Sequence, residues 1–188
     1  MKRVVLGGLF VACLWPLAAL AGASRGIEAN NNCYDQFRNG NMKAAVSFCT
    51  TAIESGDLQQ DDLVAALINR GVAFRNLGKY QRAVVDYTAA LKLAPNDPMI
   101  YANRANARRE LGELKYAFDD ANKAIKLDDT RASSFYTRGA VLEAADQIAN
   151  ARKDYALALK LAPDNEDYQN KMRLVDAKLA QGEGRQSR

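Results

Sequence analysis

Gly71, Ala105 and Gly139 stand 34 residues apart, and six further columns keep the same step. They are Arg70, Arg104 and Arg138; Ala83, Ala117 and Ala151; Asp86, Asp120 and Asp154; Ala90, Ala124 and Ala158; Lys92, Lys126 and Lys160; and Leu93, Leu127 and Leu161. A period of this length means that one supersecondary unit is copied and stacked, because a single copy cannot cover its own apolar face. The unit reads as two amphipathic helices. Leu63, Leu67, Phe74 and Leu77, with small Gly71 among them, fall at helical spacing, and Gly78 closes the run. A second run from Lys79 presents Ala83, Val84, Tyr87, Ala90, Leu91 and Leu93, and it stops before Pro95. Only 4 prolines occur in 188 residues, and Ala, Leu and Lys are abundant, which suits helix.

The chain contains no histidine. Histidine-based triads, metal sites and general bases are therefore excluded together. No P-loop, GxSxG, CxxC pair or HExxH occurs, so no catalytic residue, metal ligand or cofactor is expected. The first 23 residues differ from the rest. Lys2 and Arg3 precede an apolar run from Val4 to about Leu20, and Ala19-Leu20-Ala21 and Ala21-Gly22-Ala23 each fit a small-x-small cleavage site. This layout predicts a secretory signal peptide over 1–23 and a periplasmic or secreted mature chain with no stable membrane insertion. Cleavage removes Lys2, Arg3 and no acid, so the net charge falls from +4 to +2, too little to point to nucleic acid. It also removes Cys13 and leaves Cys33 and Cys49, an even pair in an exported protein, which favours a disulfide.

The repeating unit resembles a tetratricopeptide repeat. Residues 64–97 carry its pattern at Gly71, Phe74, Ala83, Tyr87, Ala90 and Pro95; residues 132–165 carry it at Gly139, Leu142, Ala151, Tyr155, Ala158 and Pro163. Residues 98–131 are a looser copy, with Ala105, Ala117 and Ala124 matching but Arg108, Ala121 and Asp129 at the other three places. Residues 26–59 resemble a degenerate first copy. There Ala45, Cys49 and Ala52 take the second-helix positions and Cys33 the small position of the first helix. Residues 60–63 are extra, 166–181 form an amphipathic capping helix, and 182–188 are expected to be a disordered tail. The resemblance implies an all-α, right-handed superhelical solenoid of helix-turn-helix repeats with a C-terminal cap.

The resemblance also assigns candidate residues. The small and aromatic positions of one repeat face each other, so Cys33 and Cys49 could be crosslinked; buried filler and a redox pair are the other readings. The Arg70 and Asp86 columns read either as an internal ion-pair ladder or as part of an anion-binding groove. In the family the first helix of each repeat lines the concave groove, and an Asn before the Arg position often bonds a peptide backbone. That column is Asn31, Asn69, Asn103 and Thr137, with Arg75, Asn76, Asn106 and Arg109 expected near the same surface. An amide both donates and accepts, which suits an extended peptide, and the basic residues suit one with acidic groups. The alternative for these side chains is a solvated surface. Met99 and Asn103 stand where chaperone-tail binders of the family carry basic clamp residues, a departure that argues against that partner. The implied function is a non-catalytic protein-interaction module that binds a peptide or protein segment in its groove. The alternative is a structural or assembly factor of the cell envelope or secretion machinery, acting through its convex face or ends.

Overall fold

The computed structural model describes residues 17–186, with side chains from residue 25 to residue 181. Among the described residues there are nine α-helices: α1 (Leu17–Arg38), α2 (Met42–Ser55), α3 (Gln60–Asn76), α4 (Tyr80–Leu93), α5 (Pro98–Glu110), α6 (Leu114–Leu127), α7 (Ala132–Ala144), α8 (Ile148–Leu161) and α9 (Glu166–Gln186). They pair as α1–α2, α3–α4, α5–α6 and α7–α8, and α9 packs on α8. The chain is an all-α repeat solenoid.

Each hairpin turn is set by one left-handed residue. Gly40, Gly78 and Gly112 have φ of 76°, 70° and 76°, and Asp146 takes the same place in the fourth repeat at 58°. Past this residue, the N–H groups of Asn41, Lys79, Glu113 and Gln147 donate to the carbonyls of Gln36, Phe74, Arg108 and Leu142 at 2.8–2.9 Å. This six-to-one bond satisfies carbonyls that a helix end leaves open, and it needs positive φ at one residue. The α4–α5 connection is closed differently: Asp97 accepts from the Met99 and Ile100 N–H groups, with Pro98 opening the helix.

Small residues let the two helices of a repeat approach closely. Ala83, Ala90, Ala117, Ala124, Ala151 and Ala158 are fully buried, as are Tyr87 and Tyr155. A Cβ added at Gly71 would meet Tyr87 Cε1 at 2.7 Å, and one at Gly139 would meet Tyr155 Cε1 at 2.8 Å. The aromatic ring of the second helix therefore occupies the space a side chain on the first would need. Repeats stack because Ile100, Leu67, Phe74 and Leu91 bury one contiguous cluster spanning α3, α4 and α5.

Along the solenoid, α1 touches α3, α3 touches α5 and α5 touches α7, whereas α2, α4, α6 and α8 make no comparable series. The odd-numbered helices thus lie on the inner, concave side. Two boundary expectations change. Residues 60–63 continue the hairpin unit as the first turn of α3, with Asp61 and Asp62 favourable at its positive end. The disordered tail over 182–188 is corrected: α9 runs to Gln186, and 187–188 lie outside the described residues. Gly182 and Gly184 each cost about 1 kcal/mol in a helix, too little to halt one already nucleated on α8. Of the expected signal segment, residues 1–16 lie outside the described residues, and 17–23 form the first turns of α1.

Candidate peptide-binding groove

The Arg and Asp columns are clasps inside the solenoid. Arg70 donates from Nε and Nη2 to both oxygens of Asp86 at 2.9 and 2.7 Å. Arg104 does the same to Asp120 at 2.8 Å, and Arg138 to Asp154 at 2.7 Å. Each free Nη1 then reaches back to the preceding repeat: Arg70 to Thr50 Oγ1, Arg104 to Thr88 Oγ1, Arg138 to Asn122 Oδ1. One guanidinium therefore ties three helices, and the carboxylates are buried. Three of the five N–H donors of each guanidinium are thus engaged inside the solenoid, both of those on the carboxylate in a bidentate pair, which is the ladder reading. Removing one partner of such a pair costs about 3–5 kcal/mol, since the other charge stays buried.

The looser third repeat has a local compensation. Ala121 stands where Tyr87 and Tyr155 stand, and Arg108 replaces the aromatic of the first helix. Arg108 Nη1 donates to Asp120 Oδ2 at 2.7 Å, so Asp120 accepts from two arginines. The first repeat has no clasp at all: Asn32 and Phe48 occupy the Arg and Asp positions. One residue further along, Cys33 and Cys49 are joined by a disulfide, with their Cα atoms 4.8 Å apart and both side chains fully buried.

The expected groove residues separate into three groups. Asn69 and Asn103 are half-buried on α3 and α5, Asn31 is exposed on α1, and none of the three amides has a hydrogen bond among the described residues. Thr137 is corrected: it is 3% exposed, and its Oγ1 accepts from Asn106 Nδ2 at 3.1 Å. A threonine hydroxyl is too short to clear the neighbouring inner helix, and the longer amide of Asn106 closes over it. Asn106 is half-buried by the same contact. Arg75, Asn76 and Arg109 lie at the C-terminal ends of α3 and α5. Asn76 Nδ2 approaches Met42 Sδ at 3.6 Å, and Arg109 Nη2 pairs with Glu110 at 2.5 Å. Arg75 is half-buried, and its charge lowers the proton affinity of Tyr87, against the dominant upward push of burial.

Sequence reasoning missed the C-terminal end of this face. Lys171 on α9 pairs with Glu143 of α7 at 2.6 Å, and Tyr168 stacks on Tyr136 with ring centroids 4.9 Å apart. Burial works to raise the Glu143 carboxyl, but hydrogen bonds from Lys171 and Tyr155, with the charges of Lys171 and Lys178, hold it below its usual range. The signal was present: the column Asn69, Asn103, Thr137 continues by the same step to Lys171.

Models of the tetratricopeptide repeat match residues 64–97 and 132–165. The first such domain of the protein Spaghetti (RPAP3), solved bound to the HSP90 peptide SRMEEVD, is 31% identical. The match covers 62% of this chain and 93% of that one, with a TM-score of 0.57. The chain belongs to the tetratricopeptide-repeat family. The rat RNA polymerase II-associated protein 3 is 32% identical over 130 residues, which are 69% of this tetratricopeptide-repeat chain and 20% of that protein. This chain thus spans about a fifth of the length of the curated relative it matches. MamA of Desulfovibrio magneticus RS-1 shares the fold at 20% identity and a TM-score of 0.68, over 83% of this chain and 86% of that one.

Proposed function

We propose that this chain is a non-catalytic interaction module that holds an extended peptide segment in its concave groove. The observation that carries this reading is the pair Asn69 and Asn103. They are partly exposed amides with no hydrogen-bond partner among the described residues, one repeat apart on adjacent inner helices. An extended backbone presents alternating donors and acceptors, which such amides can meet without reading side chains. The related domain bound to SRMEEVD supports the peptide class, and that peptide is acidic. Met99 and Asn103 put no charge where chaperone-tail binders carry it, which argues against a chaperone tail as the partner.

We also propose that the mature chain works in the periplasm or outside the cell. The basic-apolar-small pattern of residues 1–23 and the Cys33–Cys49 disulfide support this. A free-thiol titration of the denatured, unreduced mature chain is expected to find none; two reactive thiols would contradict it.

The groove is tested by affinity capture from periplasmic extract with the mature chain and with an Asn69→Ala/Asn103→Ala variant. The partner retained by the wild type is expected to be lost, with the thermal midpoint of the variant nearly unchanged. Equal capture by both proteins would move the binding surface elsewhere.

A further inference from the structure

The outer helices α4, α6 and α8 present a face of one sign. Together they carry eight Lys and Arg side chains, seven of them exposed, and four aspartates. Asp86, Asp120 and Asp154 are buried in the clasps, so Asp119 is the single exposed carboxylate of these helices. The excess of cations is larger than the +4 net charge of the whole chain. Of the eight, only Arg152 has an ion-pair partner among the described residues, Asp176 on α9. Helix stability explains part of the pattern. Lys92, Lys126 and Lys160 sit in last turns, where the negative end of a helix favours a cation. It does not explain Arg82 and Lys115, which stand against the positive end in first turns that hold no acid. Large apolar side chains are exposed among these charges on all three helices. Val85, Tyr116 and Leu157 are 62%, 58% and 41% exposed, on the same outward side as the lysines. The face ends at α2, where Glu54 stands at the place of Lys92.

We propose that this convex face adsorbs to the surface of an anionic phospholipid bilayer. The lysines of the three helices meet the headgroup phosphates, and Val85, Tyr116 and Leu157 enter the interfacial layer. A bilayer surface offers both things the face asks for: negative charge outside and hydrocarbon just below it. Lysine suits the boundary, because its long apolar stem lies along the interface while the ammonium reaches a phosphate. A nucleic-acid backbone would answer the charges but leave the exposed aliphatic side chains without a partner. Contact is from one side, since among the described residues no helix is long and apolar enough to cross a bilayer. The inner face stays open during adsorption, so the proposal stands independently of the groove and does not compete with it.

The test is co-flotation of the mature, disulfide-bonded chain with vesicles of phosphatidylcholine and phosphatidylglycerol in equal parts, and with vesicles of phosphatidylcholine alone. The chain is expected to float with the mixed vesicles only, and to be released as salt is raised. Lys92→Gln/Lys115→Gln/Lys153→Gln is expected to weaken partitioning about tenfold or more, with the thermal midpoint nearly unchanged. Lys79→Gln/Arg173→Gln/Lys178→Gln removes the same charge from exposed positions off this face and is expected to leave flotation nearly intact. Val85→Ser/Leu157→Ser is expected to weaken flotation without altering its salt dependence. Equal losses from the two charge variants would reduce the effect to net charge and overturn the face. Flotation indifferent to Val85→Ser/Leu157→Ser would overturn the bilayer as its occupant. Absence from the mixed vesicles would do the same, whether or not the face retains duplex DNA instead.

Discussion

At the scale of single residues, the repeats differ by what each does with its tyrosine hydroxyl. Tyr155 donates to Glu143, whereas Tyr87 has a buried hydroxyl with no partner, because Arg75 stands one period before Arg109 and two before Glu143. Burial above all raises the proton affinity of both phenols, and the Glu143 bond adds to it for Tyr155. Tyr87→Phe should therefore be neutral or stabilising, while Tyr155→Phe should cost about 1–2 kcal/mol in urea unfolding. Equal losses at the two sites would remove the distinction. The turn residue of the fourth repeat gives a second test. Asp146 holds φ of 58° where its counterparts are glycine, so Asp146→Gly should stabilise by about 0.5–1 kcal/mol. A destabilisation would mean that the aspartate side chain has a role of its own.

At the scale of elements, the first hairpin and the last helix are the two ends, and each is fastened by its own device. The α1–α2 hairpin lacks the Arg–Asp clasp, and the Cys33–Cys49 bond sits beside the empty clasp position. Cys33→Ala/Cys49→Ala should cost about 2–4 kcal/mol. Hydrogen exchange should place the loss in α1 and α2 and leave α5 to α8 protected. Uniform loss of protection would instead mean that the solenoid unfolds as one unit. At the other end, α9 is held to α7 by Lys171–Glu143 and the Tyr136–Tyr168 stack. The folded state holds Glu143 below its ordinary value of 4.5, so its contribution is full above that pH and fades as acid protonates it. The near-UV circular dichroism of the tyrosine cluster should weaken as the pH falls below 4.5 and Glu143 takes up its proton, and Glu143→Gln should abolish that step.

These elements also mark how far the sequence was legible. The hairpins followed from the strict period, because close helix packing admits only small residues at Gly71, Gly139 and the alanine columns. The end of α9 did not, since no proline follows Pro163 and two glycines are too weak a signal to stop a helix. Thr137 was misplaced because the column fixes a residue's face but not its reach: the neighbouring Asn106 buried it. Lys171 was overlooked because the column was followed only as far as the last full repeat.

At the scale of the whole molecule, the stacking of α1, α3, α5 and α7 along one side creates the concave face, and the clasps hold its curvature without occupying it. With those arginines engaged internally, the proposed groove is left with the partly exposed amides of Asn69 and Asn103. The central claim is that this inner face, and not the outer one, meets the partner. It is tested most directly by site-specific photo-crosslinking, with the probe placed in turn at Ala65, one turn from Asn69 on α3, and at Val85, 62% exposed on α4. Partner adducts are expected from position 65 that disappear in the Asn69→Ala/Asn103→Ala background, and few from position 85. Adducts concentrated at position 85, insensitive to that double substitution, would contradict it.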